Sequence, residues 1–312
     1  MRSKALLATV ALAAALSPSL GGCSDAGGTP TGQGAAVVVP TVAAPRTPTA
    51  VPESGLTRGL VLPLEAYEET YPEYIKILTA RLDLETSCMA GFGYDFAPKP
   101  ETDSISYDAS NMDRRYGLSD PVEAAQQGYF VPMPATAPTG PNLSKQESIV
   151  LTGAATLGGP ISPVSGTYAG KTIPAGGCAG QADRLLGSTK STPLVDQLDN
   201  QSLTASQKLP VVSAVIRSWS ACMKQDGYAA TSPLTVSLLT QQAGALPGST
   251  LDRKIAVADV TCKQRTNLVE VWFTAESALQ KQYIAADIGQ LRSEAAALTA
   301  VEQKADAVVA GR

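Results

Sequence analysis

Five cysteines and no histidine set the chemistry open to this chain. Without imidazole there is no Ser-His-Asp or Cys-His nucleophile and no His-ligated zinc or iron. The usual acid–base side chain near neutral pH is also missing. Cysteine can still act as nucleophile, metal ligand, disulfide partner or lipid acceptor. No Cys-x-x-Cys pair occurs, so thioredoxin-like exchange has no motif, and a four-cysteine metal site would need close-spaced pairs that are absent.

Other chemistry-bearing spacings fall short. Gly170-Lys171-Thr172 resembles the end of a phosphate-binding loop, but the required earlier glycine would stand at position 165, which is Ser165, with Gly166 one residue off. Neither Ser-x-x-Lys nor Gly-x-Ser-x-Gly occurs, which leaves serine chemistry without its known frames. Glu65, Glu68, Glu69 and Glu73 stand at helical spacing and read as a solvated face. A glycosidase-like pair of distant carboxylates stays open, because their separation is a three-dimensional fact. Trp219 and Trp272 fall on apolar helical faces, where core packing is the default and an aromatic surface for a glycan or partner the alternative. No catalytic residue, metal or cofactor is expected.

Cys23 differs from the other cysteines by its position. Met1 to Lys4 carry Arg2 and Lys4, Ala5 to Leu16 is an apolar run, and Ser17-Pro18 breaks it before Leu20-Gly21-Gly22-Cys23. The apolar run is too short to span a bilayer, as in a cleaved leader, and the ending resembles a lipobox. Residues 1–22 therefore read as a lipoprotein signal peptide and Cys23 as the lipidated residue. One acyl chain binds membrane only marginally, at ~0.8 kcal/mol per buried methylene, whereas two hold stably. The expected location is the extracytoplasmic face of a bacterial cell membrane, with the lipid anchor as the membrane contact. Residues 23–58 are Gly, Ser, Thr, Pro, Ala and Val with little charge, and read as a disordered tether with an r.m.s. span of roughly 30–35 Å.

Loss of Arg2 and Lys4 with the leader leaves 22 basic against 28 acidic side chains. An acidic chain without a basic stripe is a poor counterion for phosphate, so nucleic acid is not an expected partner. The apolar share is 44% and the aromatic share 5%, so the core must be built from Leu, Val, Ile and Ala.

Residues 59–312 read as a single helical domain. Leu64, Tyr67, Tyr71, Tyr74, Ile75, Leu78 and Leu82 mark one helix face reaching about Cys88, with Pro72 at a start or kink. Short helices are expected over Asp120–Gln127, capped by Ser119, over Ser144–Gly153 and over Ala179–Leu186. The stretch Pro132 to Pro141 reads as loop. A better helix starts at Leu209-Pro210 and buries Val212, Val215, Ile216, Trp219 and Met223. A long run, Leu251 to about Val309, opens with Ser249 and Asp252 at capping-box spacing and is expected to break near Thr266 or Gly289. The fold class is all-α: an irregular helical domain with a long C-terminal helical region, two disulfides and a disordered N-terminal tether.

Four cysteines remain for an oxidising compartment, with three possible pairings. An internal echo selects among them. Cys88-Met89 leads after three residues to Gly93-Tyr94, and Cys222-Met223 leads in the same way to Gly227-Tyr228. Each copy is followed by a cysteine in an Ala- and Asp-containing helix, Cys178 and Cys262. Two self-closing copies give Cys88–Cys178 and Cys222–Cys262. Together with Arg115-Tyr116-Gly117, Gly128-Tyr129, Gly177-Cys178, Trp219 and Ala258-Asp259, these motifs resemble a group of actinobacterial exported lipoproteins over residues 60 to about 290. The resemblance carries no activity. It implies at most an accessory role beside an envelope transporter or a peptidoglycan-binding protein.

The expected function is therefore non-enzymatic binding to an envelope protein partner. The alternatives are an extracytoplasmic ligand-binding protein or a carboxylate-based glycan hydrolase of the cell wall. Ile284, Ile288, Leu291, Ala295 and Leu298 alternate steps of four and three, and Ile284, Ile288, Leu291 and Leu298 are the candidate partner-binding residues. Burial of that stripe within the domain is the competing expectation.

Overall fold

The computed structural model describes residues 51–98, 111–130, 142–154, 166–187 and 193–311. The expected leader over residues 1–22, Cys23, most of the expected tether and Pro132–Pro141 lie outside the described residues. The fold is helical, as expected. Its elements in order are a 3-10 turn Pro63–Tyr67, α1 (Tyr71–Gly91), α2 (Pro121–Gln126), α3 (Lys145–Thr152), β1 (Thr167–Tyr168), β2 (Lys171–Thr172), α4 (Gly177–Leu186), α5 (Leu194–Ser206), α6 (Pro210–Gln225), α7 (Leu238–Gln242), α8 (Thr250–Thr266) and α9 (Leu268–Ala310). The two short strands form an antiparallel hairpin, Thr167 opposite Thr172. No described helix is long and apolar enough to cross a membrane.

Local chemistry sets most boundaries. The helix expected from Leu64 is divided. Pro63–Tyr67 forms the 3-10 turn, the chain extends at Glu68, and Thr70 caps α1, with Pro72 in its first turn. Glu65 accepts from the Leu62 amide at 2.8 Å and Glu73 from the Thr70 amide at 2.7 Å, each satisfying a donor that the turn itself cannot. Asp120, one residue beyond the expected Ser119, caps α2 by accepting from Val122 and Glu123 amides. Ser144 caps α3 and Ser249 caps α8.

The long C-terminal run breaks at Asn267, whose φ of +54° ends α8 one residue past Thr266. A second break stands inside α9 at Asp287 (φ −114°, ψ 17°), two residues before Gly289.

Helix α9 is the spine: α1, α4, α5, α6, α8 and the 3-10 turn all pack on it. The largest core gathers where α6, α8 and α9 meet. It holds Trp219, Met223, Ile255, Cys262, Leu268, Val269 and Trp272, with Tyr116 lying 5.0 Å from Trp272 between ring centroids. A smaller core of Met89, Phe96, Val150, Leu151, Ile173 and Cys178 fills the corner between α1, α3 and α4.

Candidate functional site

The disulfides form as the echo requires. Cys88 joins Cys178 and Cys222 joins Cys262, with Cα atoms 5.6 and 5.7 Å apart. Both first cysteines lie near the end of a helix that closes with the same turn. The Tyr94 amide donates to the Met89 carbonyl at 3.1 Å, and the Tyr228 amide to the Met223 carbonyl at 2.9 Å. Gly93 and Gly227 take the left-handed conformation that this closure needs, with φ of +87° and +90°.

The stripe on α9 faces inward. Leu291 is fully buried with Leu64, Val195 and Leu198, and Ile284 packs on the same cluster. Ala295 is buried, while Ile288 and Leu298 are half-buried. The 3-10 turn and α5 cover Leu291 and Ile284, as in the competing expectation of burial within the domain. The four carboxylates Glu65, Glu68, Glu69 and Glu73, which run from the 3-10 turn into the first turn of α1, need correction. Glu65 and Glu68 are buried, the first as a cap and the second facing α5, so they are not a solvated face. Gly170-Lys171-Thr172 forms part of the hairpin, and the Lys171 ammonium donates to the Gly91 carbonyl. Trp219 and Trp272 are fully buried core residues, as expected.

Two buried polar clusters flank the loop of residues 111–119. In the first, Arg115 donates to Asp199 Oδ2 and to Glu276 Oε1, each at 2.6 Å, and to the Asp199 carbonyl at 3.0 Å. Tyr116 donates to Glu276 Oε2 at 2.8 Å. Gln280 donates to Asp199 Oδ1 at 3.0 Å and to Ser202 Oγ at 2.9 Å, and accepts from the Leu64 amide at 2.9 Å. Burial works against the Arg115 charge, but Glu276 and Asp199 outweigh it and hold the guanidinium above its ordinary range. Burial pushes Asp199 up despite Arg115.

Glu68 borders this cluster and differs from its neighbours. Its Oε2 is buried with no hydrogen-bond partner. Burial first, then repulsion from Asp199, Glu65 and Asp196, pushes its carboxyl up to about 9, with Arg115 opposing. Glu68 is therefore neutral at pH 7.

In the second cluster, Lys263 donates to the Leu118 carbonyl at 2.7 Å and to Asp259 Oδ2 at 3.0 Å. Trp219 Nε1 donates to Asp259 Oδ1 and the Tyr129 hydroxyl to Asp259 Oδ2, both at 3.0 Å. Burial pulls Lys263 down and pushes Asp259 up, while the attraction between them opposes both. Gly117 admits this packing. Its φ is +80°, and a Cβ there would stand 2.4 Å from the Pro233 carbonyl oxygen and 2.8 Å from Lys263 Nζ.

Both clusters have the residue types of catalytic sites and the exposure of structural ones. The side chains of Arg115, Glu276 and Asp199 are 4%, 0% and 8% exposed, and those of Lys263 and Asp259 are 0% exposed. Their chemistry is spent on binding the loop to α5, α8 and α9.

The accessible candidate is a groove of about 500 Å³ along α8. Thr250, Lys254, Val257, Ala258 and Thr261 form its floor, with Arg253 at its edge. Ala125 of α2 lies on one side, and Asp226 and Tyr228, after α6, on the other. Asp226 also lies beside Cys222 and Cys262, a grouping that could hold a metal only with free thiols. Both sulfurs are bonded to each other, so no thiolate ligand remains. Sequence reasoning missed the groove because its α8 face mixes Thr, Lys, Val and Ala and so shows no apolar period, and because Ala125, Asp226 and Tyr228 come from other parts of the chain. Compared with known proteins, the chain matches no family model, no curated protein and no solved structure.

Proposed function

We propose that this chain is a membrane-anchored lipoprotein of the bacterial cell envelope, held at its extracytoplasmic face through lipid on Cys23, and that it binds rather than catalyses. The carrying observation is the division of labour among the five cysteines. Four close two disulfides, which persist in oxidising compartments, and the fifth stands alone directly after an apolar leader. Relatedness to the actinobacterial exported lipoproteins, and accessory service to an envelope transporter, belong to the same reading.

Binding is favoured over hydrolysis by the placement of charge. The groove along α8 is lined by one carboxylate, Asp226, whereas glycoside hydrolysis ordinarily uses two across a substrate. The groove supports the ligand-binding alternative more than docking through α9, whose stripe is covered at Leu291 and Ile284.

Substitution Cys23→Ala tests the anchor. The expected result is loss of fatty-acid label and release from the membrane fraction, or stalled processing. A variant that keeps both label and membrane association overturns the lipoprotein reading.

A further inference from the structure

The groove along α8 gathers polar groups that the chain leaves unused. Lys254 and Asp226 have no ion-pair partner among the described residues, and the hydroxyls of Thr261 and Tyr228 have no hydrogen-bond partner there. Asp226 Oδ2 lies 3.7 Å from Cys262 Sγ, but that sulfur is bonded to Cys222 and has no proton to donate. This contrasts with the buried clusters, where nearly every charge is matched inside the fold.

The charges stand at opposite ends. Asp226 lies level with Cys262, and Lys254 is eight residues earlier on the same helix, beside Arg253. At 1.5 Å per residue the two ends are about 12 Å apart. An extended peptide spans at most 3.3–3.6 Å per residue, so about three or four residues bridge that distance. Between the ends the floor is Val257 and Ala258, faced by Ala125. A shallow apolar floor with a hydroxyl at its edge suits a chain with small side chains whose backbone bonds to Thr261 and Tyr228. A cavity of this volume falls within the ordinary range for small ligands.

We infer that this groove binds a short, free-ended peptide of small residues in extended form. Its ammonium terminus sits on Asp226, and its carboxylate terminus sits on Lys254 and Arg253. The inference rests on the reading of the chain as a binding protein and does not depend on its anchor.

The test is calorimetric titration of the detergent-solubilised full chain with tetra-alanine, with its N-acetylated and C-amidated forms, and with inorganic phosphate. Saturable binding of tetra-alanine is expected, with each blocked end weakening it about tenfold, the equivalent of ~1.4 kcal/mol. Asp226→Asn should weaken the free peptide about tenfold and leave the acetylated one unchanged; Lys254→Gln should do the same with respect to the amidated one. This crossed pattern cannot arise from misfolding, and both side chains are exposed, so melting temperatures should match wild type. No saturable binding below ~10 mM, indifference to blocking, the reverse pairing, or phosphate binding as tightly as the peptide overturns the inference. Failed peptide binding with lipid attached to Cys23 leaves the anchored-lipoprotein reading standing. Peptide binding by a chain that carries no lipid does the reverse.

Discussion

At Cys88 and at Cys222 the chain makes the same turn and then treats it differently. Each helix buries its methionine, Met89 or Met223, ends in a left-handed glycine and is clipped to a second helix. Two residues before the tyrosine, the first copy has Phe92 and the second Asp226. Phe92 packs on the Met89 cluster, 6.5 Å from the Tyr168 ring, and Tyr94 stacks on Tyr168 at 5.3 Å, so hydrocarbon closes the corner. Asp226 cannot be used that way, and the corresponding corner stays open as the groove. The second cysteines differ too. Cys178 stands in the first turn of α4, whereas Cys262 lies near the end of α8, one residue before Lys263. The repeated sequence specifies a turn. The partner helix decides whether the turn ends in a packed corner or a binding surface.

The comparison breaks first at the disulfides. Cys88–Cys178 closes 90 residues and Cys222–Cys262 closes 40. Chain entropy assigns these loops about 4–5 and about 4 kcal/mol, both upper figures. The first corner adds a small apolar core to its clip, while the second is also held by the Lys263–Asp259 pair and the large core around Trp219 and Trp272. The double substitution Cys88→Ser/Cys178→Ser should therefore cost more in denaturant unfolding than Cys222→Ser/Cys262→Ser. Equal costs, or the reverse order, would mean that the buried pair adds nothing to its corner.

Substitution of Lys263 separates the corners by their charges. Lys263→Met leaves Asp259 buried without its cation and should cost about 3–5 kcal/mol, only part of it recovered when Asp259→Leu is added, because Trp219 Nε1 and the Tyr129 hydroxyl then lose their acceptor. At the first corner, half-exposed Arg81 pairs with buried Glu85 at 3.1 Å and with Asp183 at 3.3 Å; because its charge stays in contact with water, Arg81→Ala should cost less than Lys263→Met. A mild Lys263→Met variant would place the strength of the second corner in its apolar core alone.

The sequence carried the periodic and punctuated parts of this fold. The α6 face, the short helix after Ser144, the cap at Ser249, the break after Thr266 and both disulfides were legible because apolar period, capping residues and the Cys-Met/Gly-Tyr repeat are local signals. Helix α5 was not. It buries Asp199, Ser202 and Ser206 together with Val195 and Leu198, so its inward face has no clean apolar period. The buried clusters escaped for the same reason: Arg115, Asp199 and Glu276 are 84 and 161 residues apart from arginine to each carboxylate, and nothing local marks them as partners. The stripe on α9 was legible as a surface that must bury, but which surface covers it depends on the polar-looking 3-10 turn and α5.

Glu68 provides the finest test, because α1 starts beside the Arg115 cluster and ends at the first corner. Its carboxyl titrates near 4.5 when the chain is unfolded and at about 9 in the fold, so the native state holds a proton that the unfolded state releases. Stability from that neutral carboxyl is fully present below about pH 4.5, declines as pH rises, and is lost by about pH 9. The limiting slope is about 1.4 kcal/mol per pH unit. Glu68→Gln keeps the shape and is neutral at every pH, so it removes this decline. The variant should match wild type near pH 5 and exceed it by about 2–4 kcal/mol near pH 8, measured by denaturant unfolding. Asp259, also pushed up by burial, titrates in both proteins and cancels, whereas Asp199 repels Glu68 and titrates together with it, so the difference reads the Glu68–Asp199 pair. A difference that stays flat from pH 5 to 8 would mean that Glu68 is ionised in the fold and stabilised by Arg115.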